Sequence, residues 1–429
     1  MRHKQNPTRR DFLQTAVATS AAAAVVTRSS EVLASAPNGP VLKVGLIGCG
    51  GRGTGAAHDI LAGAENIKIT ALGDLFRDRV DRARTALSSK GQTVAEDRCF
   101  TGFDNFEKVL ASDIDLVILA TPPHFRPQHF AASVAAKKHV FIEKPVAVDP
   151  SGIRSVLHTG EKAQAAGLSV VAGTQRRHQS SYLAVYKQIA AGAIGEIVGA
   201  NCYWNMGKLW HRDREAGWSD MEWAIRNWVN WTWLSGDHIV EQHVHNLDVV
   251  EWFTGSHPVK AVGMGGRHRR ITGDQYDTFS VDYEFANGMH LHSMCRQIDG
   301  CANSVSEFFT GTKGSALCYN NGRITIFGKD GKTVVWKFTG TDNKPYQQEH
   351  TDLVAAIRTG KQINETRNVA ESCLTAIMGR ISAYTGQALT RDEALKMEMR
   401  LGPTAYDLMA AAPEVNVAVP GVLSTRARS

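Results

Sequence analysis

A lysine at the end of a short apolar run is the first residue in this chain whose surroundings suggest chemistry. Lys144 follows residues 140–143 (V-F-I-E) and precedes Pro145. A run this short that ends at a proline is typical of a buried strand, because Pro145 lacks the donor that would continue a ladder. The strand would place Lys144 at the carboxyl edge of a parallel sheet, where α/β proteins bind ligands.

That position suits a general base. A lysine that is partly desolvated and close to a cationic ring loses proton affinity, and the oxidation of an alcohol requires a group that accepts the hydroxyl proton. A lysine that ends a strand and points into water is the alternative interpretation of this stretch.

A carboxylate and an imidazole lie four residues apart in a second stretch, residues 239–252, which predicts a helix. Glu241 and His245 would share one face of that helix. A histidine can pass a hydroxyl proton, while a carboxylate orients the ring and stabilises the imidazolium. The neighbouring His238 and His243 make a metal site the alternative, but His243 falls on a different helix face, so that no metal is predicted.

A glycine-rich loop between a predicted strand, residues 41–47, and a predicted helix indicates a dinucleotide site. The pattern G-x-G-x-x-G lets the chain turn tightly, lets the backbone approach a pyrophosphate, and packs helix on strand, with the helix N-terminus facing the phosphates. The residues predicted to contact the cofactor in this loop are Gly48, Gly50, Gly51, Arg52 and Gly53.

An acidic residue follows the second predicted strand, residues 67–72. Asp74 lies 21 residues beyond Gly53. A carboxylate at this place hydrogen-bonds the adenosine ribose and favours NAD. Arg77 could instead meet a 2′-phosphate, so NADP is the alternative cofactor.

Further strands and helices alternate up to residue 171, which predicts a parallel sheet with right-handed crossovers. The strand at residues 114–120 ends in the turn Thr121-Pro122-Pro123-His124, at the same sheet edge as Lys144. Thr121, Pro122 and His124 are therefore predicted cofactor contacts, with a solvated turn histidine as the alternative for His124.

Three strings, G-L-I-G-C-G-G-R-G, A-T-P-P-H and H-V-F-I-E-K-P, together resemble the Gfo/Idh/MocA family of oxidoreductases, which includes glucose–fructose oxidoreductase and inositol dehydrogenase. The resemblance extends over nearly all of residues 41–401. It implies an α/β protein with a Rossmann dinucleotide-binding domain at residues 41–172. A substrate-binding α+β domain with an open, mostly antiparallel sheet is implied at residues 173–401, and a C-terminal tail at residues 402–429.

The resemblance also implies roles for individual residues. It places Lys144 beside the nicotinamide and the substrate hydroxyl, and it aligns the family's D-x-x-x-H pair with Glu241 and His245. It adds Glu143 and Gln175 to the cofactor contacts. Arg177 becomes a predicted substrate contact. Pro123 and Arg126 stand where the family usually has Asn and His.

Seven of the nine tryptophans lie between residues 204 and 233, among charged residues. Aromatic faces stack on the C–H faces of sugars while polar neighbours bind the hydroxyls. The segment is predicted to be a substrate-capping insertion, in which Tyr203, Trp204 and Trp233 join Arg177 and His245 as substrate contacts. Rings that merely attach a long loop to the domain are the alternative.

From residue 259 the hydrophobic period changes to two, and Asn-Gly pairs at residues 287–288 and 321–322 predict hairpin turns. A sheet with one open face is expected, and the resemblance implies that this face serves homo-oligomerisation. Helices are predicted at residues 349–358 and 368–384.

Composition excludes several classes of protein. The chain has 429 residues, 43% hydrophobic and 21% charged, which is ordinary for a globular protein of two or three domains. The net charge of +6 is mild, and residues 1–36 contribute about half of it, so nucleic acid is not a predicted partner. Seven scattered cysteines without a C-x-x-C pair argue against a zinc site or a disulfide framework.

The N-terminus carries an export pattern. Residues 8–14 (T-R-R-D-F-L-Q) form a twin-arginine motif, and the Ala-rich run at residues 15–26 is shorter than the ~20 residues that span a bilayer. Ala34-Ser35-Ala36 is a candidate cleavage site. Residues 1–36 are therefore predicted to be a twin-arginine signal peptide, and the mature protein to be periplasmic or secreted; a disordered basic tail is the alternative. Because this route carries folded proteins, the cofactor is predicted to be tightly bound.

These features predict an exported, NAD-dependent oxidoreductase that acts on a hydroxyl of a sugar, a polyol or a glycoside. Lys144 would be the base, His245 its partner, and Glu241 the group that orients the imidazole. One alternative is a glycoside hydrolase that oxidises a ring carbon transiently and restores its cofactor. The other is a sugar-binding protein that kept the fold without the chemistry.

Overall fold

The computed structural model describes residues 36–414 and 416–422. The twin-arginine motif and its apolar run lie outside these residues, so the predicted signal peptide stays a prediction. In the described part of the chain, no helix has both the length and the apolar character needed to cross a membrane.

The first half of the chain forms a six-stranded parallel sheet in the order β3-β2-β1-β4-β5-β6. Its strands are β1 (Leu42–Ile47), β2 (Ile67–Gly73), β3 (Cys99–Phe100), β4 (Leu116–Leu119), β5 (His139–Ile142) and β6 (Val170–Ala172). The strand order reverses between β1 and β4, and a crevice forms at the carboxyl ends of the strands at such a switch point. The predicted Rossmann-like sheet is confirmed.

Helices connect these strands and cover both faces of the sheet, which is why a strand such as β4 is apolar and buried at every position. They are α1 (Gly51–Gly63), α2 (Arg77–Ser88), α3 (Asn105–Leu110), α4 (Arg126–Ala135) and α5 (Pro150–Ala165).

The second half is built on a nine-stranded mixed sheet in the order β14-β13-β12-β11-β7-β10-β9-β8-β15. Its strands are β7 (Ile197–Met206), β8 (Pro258–Gly266), β9 (Thr278–Phe285), β10 (His290–Gln297), β11 (Ser304–Gly311), β12 (Gly314–Tyr319), β13 (Ile324–Gly328), β14 (Val334–Lys337) and β15 (Leu389–Thr390). Only β7 and β10 pair in parallel. Exposed and buried residues alternate along most of β10, as expected for a sheet with one open face.

The helices of the second half lie against the other face of that sheet and against the nucleotide half. They are α6 (Ser180–Ala190), α7 (Asp220–Arg226), α8 (Thr232–Ser235), α9 (His238–Glu241), α10 (Val244–Thr254), α11 (Pro345–Thr359), α12 (Thr366–Thr385) and α13 (Arg391–Lys396). Helix α11 packs on α1, and its Leu353 and Val354 join the core around β1. The sequence assigned residues 173–401 to one substrate domain, whereas α11 returns to the nucleotide half.

The helix predicted over residues 239–252 is interrupted. Helix α9 ends at Glu241 and α10 begins at Val244. Between them the amide of His243 donates to the carbonyl of His238 at 3.1 Å, a wider turn than the α-helical one. The predicted continuous helix is therefore two shorter helices, with Glu241 at the end of α9 and His245 near the start of α10.

The first residues of the predicted C-terminal tail pack in an apolar cluster that is separate from the cores around the two sheets. Leu401, Tyr406 and Leu408 pack against buried aromatic residues of both halves, including Phe125 and Trp233. The amide of Leu401 also donates to Asp149 at 2.8 Å. This part of the chain therefore belongs to the folded core.

Candidate active site

Lys144 lies just beyond β5, where the nucleotide half meets helix α9. Its Nζ donates to the carbonyl oxygen of Glu241 and to the Glu241 carboxylate, the latter at 3.1 Å. Both side chains are about nine-tenths buried, with 11% and 10% exposed. The peptide bond between Lys144 and Pro145 is cis. The structure thus brings together the lysine and the acidic residue, which lie 97 positions apart in the sequence.

The Glu241 carboxylate is engaged on both oxygens. Besides Lys144, it accepts a hydrogen bond from the side-chain amide of Gln242 at 2.6 Å. Glu241 was predicted to orient the imidazole of His245; its hydrogen bonds instead go to the lysine and the glutamine. Glu241 ends α9 whereas His245 lies in the first turn of α10, so the two residues belong to different helices.

His245 is buried, and its ring stacks on Trp204 with a centroid separation of 5.7 Å and an interplanar angle of 22°. Burial lowers the pKa of His245 well below its usual value, and the charges of Lys144 and Arg176 act in the same direction. The imidazole is therefore neutral at neutral pH and can accept a proton.

The Trp204–His245 stack is supported by a buried ion pair that sequence reasoning passed over. Arg176 forms a salt bridge with Glu307, and its guanidinium lies 5.7 Å from the Trp204 ring centroid. Asn246, next to His245, donates to the same carboxylate at 2.6 Å. Arg176 rather than Arg177 therefore packs against Trp204, the ring that stacks on His245.

Arg177 and Gln175 lie in the turn after β6, as the resemblance implied, but their surroundings differ. Arg177 forms a bidentate pair with Asp248 at 2.9 and 3.0 Å, so its guanidinium already has a partner. The Gln175 side-chain oxygen is buried and has no hydrogen-bond partner in the described part of the chain. The Gln175 oxygen is thus enclosed by protein, whereas Arg177 anchors α10.

The glycine loop has the geometry that a pyrophosphate needs. Gly48 adopts a φ of 98°, and its amide donates to Gly73 at 2.8 Å. A Cβ on Gly53 would lie 1.8 Å from the Gly48 oxygen, and one on Gly51 would meet nothing within 4 Å. The loop is thus closed on its protein side and open at the start of α1, where backbone amides bind phosphate.

Arg52 connects this loop to the strand that carries the lysine. Its Nε donates to Glu143 at 2.5 Å, and its Nη1 to Asp59 at 3.2 Å. The charge of Arg52 lowers the pKa of Glu143 despite the opposing effect of burial. Glu143 also accepts a hydrogen bond from the amide of Lys144 at 3.1 Å.

Asp74 stands at the end of β2 and holds the loop in place. Its carboxylate accepts hydrogen bonds from the amides of Cys49 at 2.7 Å and Phe76 at 3.0 Å. Arg77, which the sequence offered as a 2′-phosphate ligand, pairs with Asp81 and Glu96. Arg79 lines the nucleotide cavity in its place.

A cavity of about 390 Å³ opens along these groups. The predicted cofactor contacts that line it are Gly48, Gly50, Gly51, Arg52, Asp74, Thr121 and Pro122. Apolar rings beside a set of backbone amides and guanidinium groups match the base, ribose and phosphates of a dinucleotide. These residues therefore fit NAD.

His124 and Trp233 are placed elsewhere than predicted. The His124 Nε2 lies 2.7 Å from the Tyr406 hydroxyl, and its ring packs edge-on against Trp233 at 5.0 Å. Burial lowers the pKa of His124 to about 4. Both residues belong to the apolar cluster around Phe125 rather than to the cofactor or substrate contacts, because the C-terminal segment covers them.

The tryptophan-rich segment covers the nucleotide cavity rather than the lysine. Residues 207–231, which we call the cap segment, contribute Trp210, Arg212 and Trp228 to the cavity wall. The sequence predicted an insertion that caps the substrate, whereas these residues line the nucleotide cavity. Tyr203, a predicted substrate contact, lies on the opposite face of β7 from Trp204, because side chains alternate along a strand.

His243 does not join His245. Its Nε2 lies 2.7 Å from the Ser293 hydroxyl and 3.5 Å from the Cys202 sulfur. Within residues 36–414 and 416–422, no three metal-ligating side chains cluster in a way that could hold a metal ion.

Five buried histidines predict how the protein responds to acid. Burial lowers the pKa of each, to about 4 or about 3 in three cases and well below the usual value in two. They are His124, His129, His243, His245 and His350. Each stays neutral in the folded protein but takes up a proton near about pH 6.5 when unfolded. We therefore expect the free energy of unfolding to fall between about pH 7 and about pH 5, by up to ~1.4 kcal/mol per pH unit for each histidine, and the urea midpoint to fall with it.

Two buried groups oppose this trend. Neighbouring carboxylates raise the pKa of His178 to about 10 against the effect of burial, so His178 is protonated in the folded protein. Burial, followed by the charge of Glu143, raises the pKa of Glu349 well above its usual value, so Glu349 binds a proton in the folded state. A His129→Gln variant should flatten the pH dependence, whereas His292→Gln, at an exposed position, should not. A urea midpoint that is unchanged over this range would contradict the assignment of neutral buried histidines.

Comparison with known proteins matches the two halves separately. Residues 42–171 match the model of an oxidoreductase family with an NAD-binding Rossmann fold. Residues 182–332 match the GFO/IDH/MocA C-terminal domain. Together the two matches cover well over half of the chain.

Individual relatives are distant. Inositol 2-dehydrogenase of Acidothermus cellulolyticus is 23% identical over 354 residues, which is 81% of this chain and 89% of that protein. A glycosyl hydrolase family 109 protein of Streptomyces coelicolor is 28% identical over 163 residues, 38% of this chain and 34% of that protein.

Among solved structures, scyllo-inositol dehydrogenase from Lactobacillus casei, with bound NAD(H) and scyllo-inositol, has the same fold. The TM-score is 0.62 at 20% identity, covering 82% of this chain and 99% of that one.

Proposed function

The chain belongs to the GFO/IDH/MocA oxidoreductase family, and we propose that it oxidises a hydroxyl group of a sugar, a polyol or a glycoside with NAD. The observation that carries the proposal is the contact of Lys144 with Glu241 at the sheet edge that also bears the glycine loop. A basic amine, a neutral imidazole and a dinucleotide cradle are the groups that hydride abstraction from a carbinol requires, and the proposal assigns them to Lys144, His245 and the glycine loop.

Each residue has a distinct role in this proposal. Lys144 takes the hydroxyl proton at Nζ, and the Glu241 carboxylate balances its charge. His245 is neutral at rest and is the partner that can pass this proton onward. Gln175 stays a proposed cofactor contact because of its place in the turn after β6. Bound NAD supplies the hydride acceptor.

We propose further that the protein is exported by the twin-arginine route and carries its cofactor with it. The motif at residues 8–14 supports export. Cell fractionation tests it: the Arg9→Lys/Arg10→Lys variant should stay in the cytoplasm, while the parent chain should not. Equal distribution of both would refute this route.

The open face of the nine-stranded sheet supports a homo-oligomer. Met264 on β8 is 70% exposed, and Val262 on the same face is 47% exposed. Apolar side chains on an uncovered sheet face are typical of an interface. Sedimentation analysis of a Met264→Lys variant tests this assignment, since it should dissociate to a smaller species.

A second candidate function is that of a redox-cycling glycoside hydrolase. The similarity to the Streptomyces coelicolor glycosyl hydrolase family 109 protein supports this candidate. Oxidation of a ring hydroxyl to a ketone acidifies the C–H on the neighbouring carbon, and loss of that proton expels the aglycone. Water then adds to the unsaturated sugar, and return of the hydride to the ketone restores the hydroxyl and NAD. No net oxidation results.

One set of measurements tests the function and separates the two candidates. The purified protein should show nucleotide absorbance and should bind NAD in a calorimeter; failure of both removes the proposal. Incubation with aryl glycosides and no added acceptor should then be followed by absorbance. Release of the phenol without NADH identifies the hydrolase, whereas NADH formation, or reduction of a second sugar once it is added as acceptor, identifies the oxidoreductase.

A further inference from the structure

The outer wall of the nucleotide cavity is made by the substrate half of the same chain. The cap segment runs from the end of β7 to α8 and reaches across to the loop after β2. Its Trp210, Arg212 and Trp228 line the same cavity as Gly50 and Asp74. The cofactor site is therefore enclosed between two parts of the chain that lie more than a hundred residues apart.

Arg226 makes polar contacts between the cap segment and the nucleotide half, beside an apolar cluster in which Phe76 packs with Met221 and Ile225. Arg226 donates to Asp78 at 3.0 Å, and its guanidinium lies 3.7 Å from the ring centroid of Phe76. It also pairs with Glu222 on α7 at 2.7 Å. Only 10% of the Arg226 side chain is exposed. Phe76 and Asp78 follow Asp74, the residue at the ribose position, so the contact is made beside the adenosine end of the site.

The inner surface of the cap segment suits a purine nucleotide. Trp210 and Trp228 pack edge-on at 6.0 Å and present aromatic surface to the cavity. Arg79 and Arg212 line the same space, and in the described part of the chain neither forms a salt bridge. Aromatic walls accept a flat base, and unpaired guanidinium groups accept phosphate.

We propose that the cap segment closes over the adenosine end of the bound dinucleotide and retains it between turnovers. Trp210, Trp228 and Arg212 make the contacts, and Arg226 holds the segment against the loop after β2. Release of the nucleotide then requires the cap segment to separate from Phe76 and Asp78. The inference rests on the proposed function, because it assumes that a dinucleotide occupies the cavity.

Release of NADH measures the cap directly, without substrate turnover. The holoprotein is loaded with NADH and mixed with excess NAD, and loss of energy transfer from tryptophan to the reduced nicotinamide is followed. Arg226→Met should release NADH at least about tenfold faster, the effect of removing a partly desolvated ion pair and cation–π contact. Trp210→Ala, at a rim position that is 46% exposed, should also speed release and carries little risk of misfolding.

Lys208→Gln is the matched control. It removes one charge from the cap segment at a mostly exposed side chain that lines a different cavity. Its NADH release should equal that of the parent protein. If the parent and all variants bind NADH and release it at one rate, the cap inference is overturned while the proposed function stands. If the parent binds no NADH, both are overturned together.

Discussion

Replacement of Lys144 by methionine is expected to reduce turnover by between about 100-fold and about 10,000-fold, the contribution of a positioned acid–base group. Methionine keeps the length and apolar stem of the side chain but cannot take a proton. The glycine loop, Asp74 and the cap segment do not depend on Lys144, so affinity for NAD should stay within about threefold of the parent value. Steady-state kinetics and calorimetry on the same preparation measure the two effects separately.

The variant leaves the Glu241 carboxylate without its cation, and this can destabilise the fold. The double variant Lys144→Met/Glu241→Gln removes both charges of the pair, so it leaves no buried charge without a partner. It should be as inactive as Lys144→Met. Lys138→Met is the matched control, since Lys138 lies at the amino end of the same strand and donates to the carbonyl of Ile114. Full activity in a folded, NAD-binding Lys144→Met protein would leave a sugar-binding role as the remaining interpretation.

Local sequence predicted the elements whose structure depends on local interactions. The glycine loop followed from the spacing of Gly48 and Gly53 between a strand and a helix, and β5 from a short apolar run that ends near Pro145. The turns at residues 287–288 and 321–322 join β9 to β10 and β12 to β13, because glycine readily takes the positive φ found there.

The features that sequence could not predict depend on long-range packing. Arg226 meets Phe76 across 150 residues, which no pattern within the cap segment could indicate. Its high tryptophan content indicated a ligand surface, but only the fold shows that this surface faces the nucleotide cavity. Similarly, the position of Tyr406 against His124 depends on where the C-terminal segment crosses the crevice.

The choice between neighbours in one turn was equally hidden. Arg176 and Arg177 are adjacent and chemically identical. The conformation of the turn after β6 decides which one packs against Trp204, the ring that stacks on His245. Arg176 is buried against Glu307, whereas Arg177 pairs with Asp248. The break between α9 and α10 was not predictable for the same reason, because the wider turn at His243 leaves no mark in the spacing of the apolar residues.

Replacement of Arg176 by methionine is therefore expected to have the largest effect on stability, about 3–5 kcal/mol in the free energy of unfolding. Glu307 is fully buried, and its pKa is already raised by burial, against the lowering effect of Arg176. Without the arginine, its carboxylate lacks a compensating charge and can become neutral only by binding a proton. The loss measured by urea unfolding should thus be smaller at low pH than at neutral pH. Arg176→Met/Glu307→Gln should recover most of it.

The same variant reports on the active site through a different measurement. The charge of Arg176 contributes to lowering the pKa of His245. Its removal should raise that pKa and move the acid limb of the pH–rate profile to higher pH, because the imidazole must be neutral to accept a proton. Arg323→Met is the control: Arg323 lies over the ring of Tyr319 at an exposed position, and its loss should change stability by less than about 0.5 kcal/mol. A double variant that regains stability but keeps the shifted acid limb would establish that Arg176 acts on the imidazole as well as on the fold, whereas an unmoved limb would restrict it to the fold.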